Sequence, residues 1–178
     1  MTALDISILE ALEAMRNALS IDIFIGITEL GEALLIGGLA LCLCLVFFLQ
    51  RKYAYLTGLF ISVVLTGSLV LMIKELVQRA RPEHLYRAYT EAGYSFPSAH
   101  AALSVAFYGF CMYLVYRTVP PGMWRTLAMA GLTLMIAGIG FSRVYLGVHY
   151  PSDVIAGLAL GAFCAWVGVM VVQKIERR

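Results

Sequence analysis

Charged side chains are scarce in this sequence, and their scarcity excludes most soluble proteins. Only 13% of the 178 residues are charged, whereas 61% are hydrophobic. Soluble domains usually have about 25% charged and about 45–50% apolar residues. The composition therefore predicts an integral membrane protein whose single domain covers residues 1–178.

The sequence also lacks the features of several other classes of protein. The net charge of +2 is small and forms no basic stripe, so no nucleic-acid partner is expected. The four cysteines lie in apolar runs, and Cys42 and Cys44 have no second pair, so they are expected to pack rather than bind zinc. The first twenty residues carry acids and lack a basic segment followed by an apolar core, so no cleavable signal peptide is expected.

Long apolar runs are abundant, and five of them are long enough, or nearly so, to cross about 30 Å of hydrocarbon. The predicted spans are 30–50, 53–73, 99–116, 126–141 and 154–172. Residues 3–19, within the first twenty, differ, because Leu4, Ile8, Leu12, Met15 and Leu19 recur at helical steps between charged residues. This pattern predicts an amphipathic helix at the membrane surface or along the bundle. The predicted fold is thus an all-α membrane bundle of about five transmembrane helices with an N-terminal amphipathic interfacial helix.

The basic residues of the loops predict the orientation in the membrane. Seven lie on one side: Arg51, Lys52, Arg117, Arg125, Lys174, Arg177 and Arg178. Six lie on the other: Arg16, Lys74, Arg79, Arg81, Arg87 and Arg143. Setting aside Lys74, Arg81 and Arg143 for the anion site described below leaves three against seven. The positive-inside rule then predicts a cytoplasmic C-terminus, with the other loops facing outward.

Three polar clusters lie on the predicted outward side, each at the mouth of a span. They cover 74–82, 97–100 and 142–153, and the loop 79–97 between two spans is the expected active-site loop. Lys74, Arg81 and Arg143 supply cations, and arginine is suited to binding phosphate oxygens with two hydrogen bonds. This set of cations therefore favours recognition of a phosphate.

The second cluster resembles the start of a helix that faces an anion. Pro97 has the fixed φ that the first helical turn prefers. We therefore expect free N–H groups of Ser98, Ala99 and His100 to point at an anion, with the Ser98 hydroxyl adding a hydrogen bond.

Two histidines provide groups for catalysis near neutral pH. His100 and His149 can share nucleophilic and acid–base work. Asp153 follows His149 by four residues, and a carboxylate that accepts from one imidazole nitrogen leaves the other free to attack.

Each of these residues also has a structural interpretation. Lys74 and Arg143 could be snorkelling anchors, and Ser152 or Asp153 could cap the fifth span. Glu29 and Glu32, at the lip of the first span, are expected to face water rather than the site, and His84 is expected to be an ordinary loop residue. The joint appearance of the clusters on one side favours function.

The spacing of these residues resembles one family. The patterns Lys74-x6-Arg81-Pro82, Pro97-Ser98-x-His100 and Ser142-Arg143-x5-His149-x3-Asp153 resemble the type 2 phosphatidic acid phosphatase superfamily over about residues 22–172. These are lipid phosphate phosphatases whose core is related to vanadium haloperoxidases. The resemblance implies no metal and no cofactor.

The resemblance also implies a role for each matching residue. His149 would be the nucleophile that forms a phosphohistidine, and Asp153 would orient it. His100 would protonate the leaving group and later activate water. The phosphoryl oxygens would be held by Lys74, Arg81, Ser98, the Ala99 backbone and Arg143.

Two features depart from the family pattern. Ala99 stands where the family usually has glycine, and its methyl group is expected to have a modest effect on rate or substrate fit. Many members have six spans, whereas here the helix 3–19 takes the place of the first, which favours homodimerisation or lipid entry beside the second predicted span.

The implied function is removal of phosphate from a lipid at the outer face of a bacterial cytoplasmic membrane. Undecaprenyl diphosphate ranks first and phosphatidylglycerophosphate second, ahead of phosphatidate and lipid A phosphates. A lipid phosphotransferase using the same intermediate remains open. A transporter is disfavoured because the charges cluster at one lip of the spans, and a non-catalytic relic because His149, His100 and Asp153 are all present.

Overall fold

The part of the chain described by the computed structural model, residues 3–177, contains helices and no strand. The α-helices are α1 (Ala3–Glu13), α2 (Ala18–Glu29), α3 (Ala33–Leu49), α4 (Tyr53–Val77), α5 (Ala99–Ser104), α6 (Phe110–Thr118), α7 (Met123–Tyr145) and α8 (Pro151–Glu176). A short 3₁₀ helix covers His84–Tyr86, and a π-helical turn, Val105–Gly109, joins α5 to α6. Arg178, counted above among the cytoplasmic basic residues, lies outside the described residues.

Five helical segments are long and apolar enough to cross a membrane. They are Ala18–Leu49, Tyr53–Val77, Ala99–Thr118, Met123–Tyr145 and Pro151–Glu176. The first contains α2 and α3, and the third contains α5, the π-helical turn and α6. The prediction of an all-α bundle with five spans is confirmed.

The predicted helix over 3–19 is wrong at its C-terminal end. Helix α1 ends at Glu13, and α2 begins at Ala18 because Asn17 caps it. The Asn17 Oδ1 atom accepts from the Ser20 N–H at 2.9 Å, and Ser20 Oγ accepts from the Asn17 N–H at 3.0 Å. These reciprocal bonds satisfy two donors that a helix start leaves unpaired. The first span is consequently longer than predicted.

The buried face of α1 also differs from the face that the apolar periodicity suggests. Leu4 is 68% exposed, whereas Asp5 is only 3% exposed and Leu9 is fully buried. The carboxylate therefore faces the protein, and its partners are described with the site below. The apolar side chains that α1 leaves exposed suit contact with lipid.

Helix α8 packs closely against α4 and α5 through glycines. A Cβ atom added at Gly168 would lie 2.5 Å from the Gly58 carbonyl oxygen of α4, and one at Gly161 would lie 2.2 Å from the Ala102 carbonyl oxygen of α5. Small residues allow this approach between membrane helices, whose packing depends on van der Waals contact. The approach brings the N-terminus of α5 beside the N-terminus of α8, where the Ser98 N–H donates to the Asp153 carbonyl oxygen at 3.1 Å.

Replacement of Gly161 by alanine tests this packing. The new methyl group would meet a backbone oxygen that cannot move aside as a side chain can, so Gly161→Ala should lower the stability of the fold by about 1–3 kcal/mol. Gly131→Ala on α7 is the control, because a Cβ atom there meets nothing within 4 Å. Thermal unfolding in detergent should show a lower midpoint for Gly161→Ala alone; equal midpoints would refute the close contact.

Candidate active site

The three polar clusters meet at one end of the bundle. They lie at the C-terminal ends of α4 and α7 and at the N-terminal ends of α5 and α8. The segment from Gln78 to Ser98 lies between α4 and α5. A cavity of about 780 Å³ opens there, and its lining includes Lys74, Glu91, Ala99 and His100. The structure thus brings the predicted residues of all three clusters to one place.

The helix start at the second cluster differs from its predicted form. Helix α5 begins at Ala99 with Ser98 as its N-cap, so Pro97 precedes the helix and does not occupy its first turn. The Ser98 hydroxyl accepts from the Ala101 N–H at 3.5 Å, and the Ser98 N–H donates to Asp153. The prediction of a free N–H at Ser98 is therefore wrong, since this group joins α5 to α8.

Two buried guanidinium groups form the centre of the site. Arg143 is fully buried, and Arg81 is nearly so. Both donate to Glu91: Arg81 Nη2 lies 3.0 Å from Glu91 Oε1, and Arg143 Nη2 pairs with Glu91 Oε2. The carboxylate of Glu91 thus lies between the two arginines, in the position where an anion would bind. Arg143 is therefore not a snorkelling anchor.

Glu91 remains an anion over the whole physiological pH range. Burial opposes its ionisation, but Arg143 and Arg81 outweigh burial and lower the pKa of Glu91 to about 2. A proton therefore does not release this carboxylate from the arginines near neutral pH.

Other contacts fix the two arginines. Arg81 also donates to the carbonyl oxygens of Gly93 at 3.0 Å, Ala92 at 2.9 Å and Val148 at 2.9 Å. Arg143 Nη1 donates to Thr28 Oγ1 at 2.8 Å and to the Tyr89 hydroxyl at 2.7 Å. Because each guanidinium has several acceptors, its geometry is set before any ligand binds.

A tight turn after α7 presents His149. The Gly147 N–H donates to the Val144 carbonyl, and the N–H groups of Val148 and His149 donate to Arg143. Gly147 has φ +71°, and a Cβ atom there would lie 1.7 Å from the Tyr86 carbonyl oxygen. Glycine is required on both grounds. Helix α8 then starts at Pro151, which suits the first helical position.

The contacts of His149 assign its two ring nitrogens. Arg81 Nη1 lies 3.2 Å from His149 Nε2, and a guanidinium can only donate. Nε2 is therefore the unprotonated nitrogen of the neutral ring, and the proton lies on Nδ1. Asp153 Oδ2 is 3.6 Å from Nδ1 and Ser95 Oγ is 3.5 Å from it. This arrangement leaves the basic nitrogen on the side of the arginines.

Electrostatics keep the His149 ring neutral. Burial lowers its pKa to about 4, Asp153 opposes this shift, and Arg143 and Arg81 add to it. A neutral imidazole has the lone pair that nucleophilic attack requires. The ring is thus in a reactive form at pH 7.

Asp153 has a structural role as well as its contact with His149. Its Oδ2 atom accepts from the Tyr150 N–H at 2.9 Å and from the Ser95 hydroxyl, and Oδ1 accepts from Arg79 at 2.5 Å. The first of these bonds satisfies a backbone donor at the start of α8. Asp153 therefore caps α8, as the structural interpretation predicts, and the same carboxylate also faces His149.

His100 lies on the first turn of α5 and lines the cavity. Its Nε2 atom is 3.0 Å from Glu32 Oε2. The expectation that Glu32 faces water rather than the site is wrong, because the break between α2 and α3 turns this side chain towards α5. Glu29 lines the same cavity.

Lys74, Ala99 and His84 complete the predicted set. The Lys74 ammonium donates to the Tyr94 carbonyl. Ala99, at the first position of α5, lines the cavity. His84 lies exposed in the 3₁₀ helix, away from these contacts.

The sequence reasoning missed several residues of the site. Glu91 and Ser95 lie in the long polar loop, Asp5 lies on α1, and Arg79 was counted only for its charge. No local pattern distinguishes Glu91 from the other loop residues. Arg79 lies two residues before Arg81 on the same loop, and this proximity is the one signal that could have suggested its role.

Removal of the Glu91 charge should strengthen anion binding. In Glu91→Gln the arginines lose their internal anion, so orthovanadate should inhibit with a constant lower by roughly 10-fold, as expected for charge-assisted hydrogen bonds. Glu75→Gln is the control, because Glu75 lines the same cavity and is exposed. Weaker inhibition of Glu91→Gln would show that the carboxylate supports the anion site rather than competing for it.

Comparisons with known proteins agree with this geometry. Residues 53–177 match the PAP2 superfamily. Phosphatidylglycerophosphatase B of Bacillus subtilis is 29% identical over 97% of this chain and 85% of its own length. Lipid A 1-phosphatase of Rhizobium johnstonii is 35% identical over 65% of this chain and 47% of its own length. The chain spans about half the length of several curated relatives that it matches.

A solved structure matches almost the whole chain. The transmembrane PAP2-type phosphatidylglycerolphosphate phosphatase of Bacillus subtilis superimposes with a TM-score of 0.88 and 26% identity, covering 98% of this chain and 87% of that one. LpxE of Aquifex aeolicus has the same fold, with a TM-score of 0.72 and 24% identity over 95% of this chain and 96% of its own. The family match and the matching helical bundle lead to one conclusion: the chain belongs to the PAP2 superfamily of membrane phosphatases.

Proposed function

We propose that the protein hydrolyses a phosphomonoester or diphosphate of a membrane lipid through a phosphohistidine on His149. The observation that carries the proposal is the pairing of Arg81 and Arg143 around one carboxylate, beside the unprotonated Nε2 atom of His149. A phosphoryl group in place of the Glu91 carboxylate would contact both arginines and the nucleophile. Members of the family that resemble the chain over most of its length act on a lipid phosphate.

The proposed reaction has two displacements. His149 Nε2 attacks phosphorus as the bond to the lipid oxygen breaks, and His100 donates a proton to that oxygen. His100 then removes a proton from water, whose oxygen attacks the phosphohistidine, releasing inorganic phosphate and restoring His149. Two easier steps thereby replace one hard displacement.

The cations supply the stabilisation that phosphoryl transfer needs. The charge of the transition state is spread over the phosphoryl oxygens, and fixed donors stabilise it without reorganising. Arg81, Arg143 and Lys74 are the proposed donors, together with the Ser98 hydroxyl and the Ala99 N–H. The Nε atom of Arg143 is buried and has no hydrogen-bond partner within residues 3–177, so this donor can serve a substrate oxygen. These groups occupy the place of a metal, and none is proposed.

Phosphatidylglycerophosphate is the first lipid to test, ahead of undecaprenyl diphosphate. The relative that matches 97% of this chain is named for it, whereas the undecaprenyl-diphosphatase of Sulfolobus acidocaldarius matches 47% of this chain. A phosphotransferase that passes the group to a second lipid is the other candidate, because the same intermediate serves it. Release of inorganic phosphate without an added acceptor separates the two.

We further propose that the site faces the outside of a bacterial cytoplasmic membrane and that the C-terminus faces the cytoplasm. The excess of basic residues at the opposite end of the spans supports this orientation. Homodimerisation beside the second span is also a proposal, which sizing of the purified protein in detergent can test.

Substitution of the histidines tests the proposed roles. His149→Ala should release no phosphate from phosphatidylglycerophosphate or undecaprenyl diphosphate, and Asp153→Asn should lower kcat by about 10⁴-fold, as for the carboxylate of a catalytic triad. His84→Ala is the control, because this third histidine is exposed and away from the site. A divalent chelator should leave the wild-type rate unchanged. Normal turnover by His149→Ala would refute the assignment of the nucleophile.

A further inference from the structure

A chain of buried polar contacts joins helix α1 to the His149–Asp153 pair. Asp5 Oδ2 accepts from Arg79 Nη2 at 3.1 Å. The other terminal nitrogen of the same guanidinium, Nη1, donates to Asp153 Oδ1 at 2.5 Å. Asp153 Oδ2 in turn lies 3.6 Å from His149 Nδ1. One guanidinium therefore bridges a carboxylate of α1 and the carboxylate that faces the proposed nucleophile.

Two further contacts hold Arg79 in the orientation of this bridge. Its guanidinium lies 4.3 Å from the centroid of the Tyr150 ring, a cation–π contact that fixes the plane of the group. Nη1 also donates to Ser152 Oγ at 2.8 Å. The Arg79 side chain is 18% exposed, whereas Asp5 and Asp153 are 4% and 0% exposed. The two carboxylates would repel each other at this site without the cation between them.

Asp5 also contacts the first turn of α8 directly. Its Oδ1 atom accepts from the Ser152 N–H at 3.1 Å, and Oδ2 accepts from the Ser152 hydroxyl at 2.9 Å. A carboxylate at a helix N-terminus satisfies an unpaired donor and is favoured by the helix dipole. Asp5 thus fixes the residue that immediately precedes Asp153.

Both oxygens of Asp153 are consequently fixed, but by different parts of the chain. Oδ2 is held by Ser95 and the Tyr150 N–H, whereas Oδ1 pairs with Arg79. Removal of Arg79 would leave Oδ1 buried without this partner, and a buried carboxylate in that condition rotates or takes up water. Either change would alter the contact between Oδ2 and His149.

We propose that Asp5 and Arg79 are positioning residues for the His149–Asp153 pair, so that α1 completes the active site. The family match begins at residue 53, and Asp5 therefore lies outside the matched part of the chain. The proposal rests on the roles proposed above for His149 and Asp153. It accounts for the orientation of α1, which buries an aspartate and leaves Leu4 exposed.

The test is steady-state kinetics of the full-length protein with short-chain phosphatidate in detergent micelles. Asp5→Asn and Arg79→Gln should each lower kcat by roughly 10- to 100-fold, the range for a charged group that loses a buried partner. KM should stay within about twofold, because neither side chain contacts Glu91, Arg81 or Arg143. The loss of kcat in the double variant should be smaller than the product of the two single losses, since both changes break the same bridge.

Glu10→Gln provides the matched control. It removes the same charge from the same helix, but Glu10 is exposed and contacts only the Tyr86 hydroxyl among the bonds described, at 3.2 Å. Its kcat should equal that of the wild type. If Arg79→Gln does not yield monodisperse protein, Arg79→Ala with added methylguanidinium replaces it, and recovery of kcat on addition supports positioning by the cation.

Four results would overturn the proposal. Folded Asp5→Asn protein with wild-type kcat would show that α1 has no influence on the pair, and so would a rise in KM alone. Inactivity of His149→Ala in the same assay would leave the proposed function standing. Additive losses in the double variant would show that Asp5 and Arg79 act separately. Phosphate release that persists in His149→Ala would overturn both the assigned roles and this proposal.

Discussion

Two guanidinium groups buried at one end of the helical bundle are the constraint on which the site depends. Arg143 is fully buried and Arg81 nearly so, and burying an unpaired charge costs several kcal/mol. Glu91 offsets this cost by pairing with both. The loop between α4 and α5 must therefore fold over the bundle end, and the site contains its own anion. In the proposed function, substrate binding is then an exchange of a phosphate for this carboxylate.

The rigid parts of the fold support this exchange. Glycines on α8 let α5 and α4 approach closely, and Gly147 lets the turn after α7 pass beneath Tyr86 and present His149. The ends of four helices thus converge with little freedom, as a preorganised site requires. Helix α1 adds further contacts around these helix ends, because its Asp5 contacts both Arg79 and the first turn of α8. The site is consequently built from residues at both ends of the sequence.

The spans could be predicted from the sequence, and so could most of the residues that the structure brings together at the bundle end, whereas their partners could not. A run of about 20 apolar residues is stable in a bilayer as a transmembrane helix, so the five spans can be recognised in the sequence. Arg81, His100, Arg143 and His149 stand out because charge at the lip of a span is costly. Glu91 and Asp5 lie in ordinary polar surroundings, and only tertiary contacts distinguish them. The periodicity predicts that α1 packs through its apolar face. In the structure, a buried aspartate that pairs with Arg79 determines how the helix packs.

The central claim is that Nε2 of His149 carries the phosphoryl group during turnover. Its most direct test is to quench the purified protein in alkali during turnover of a lipid labelled with ³²P in its terminal phosphate, and to locate the label by peptide mass spectrometry. The account predicts a base-stable, acid-labile phosphoramidate on His149, which Asp153→Asn accumulates more slowly. Label on another residue, or a wild-type enzyme that turns over with no covalent phosphate, would contradict it.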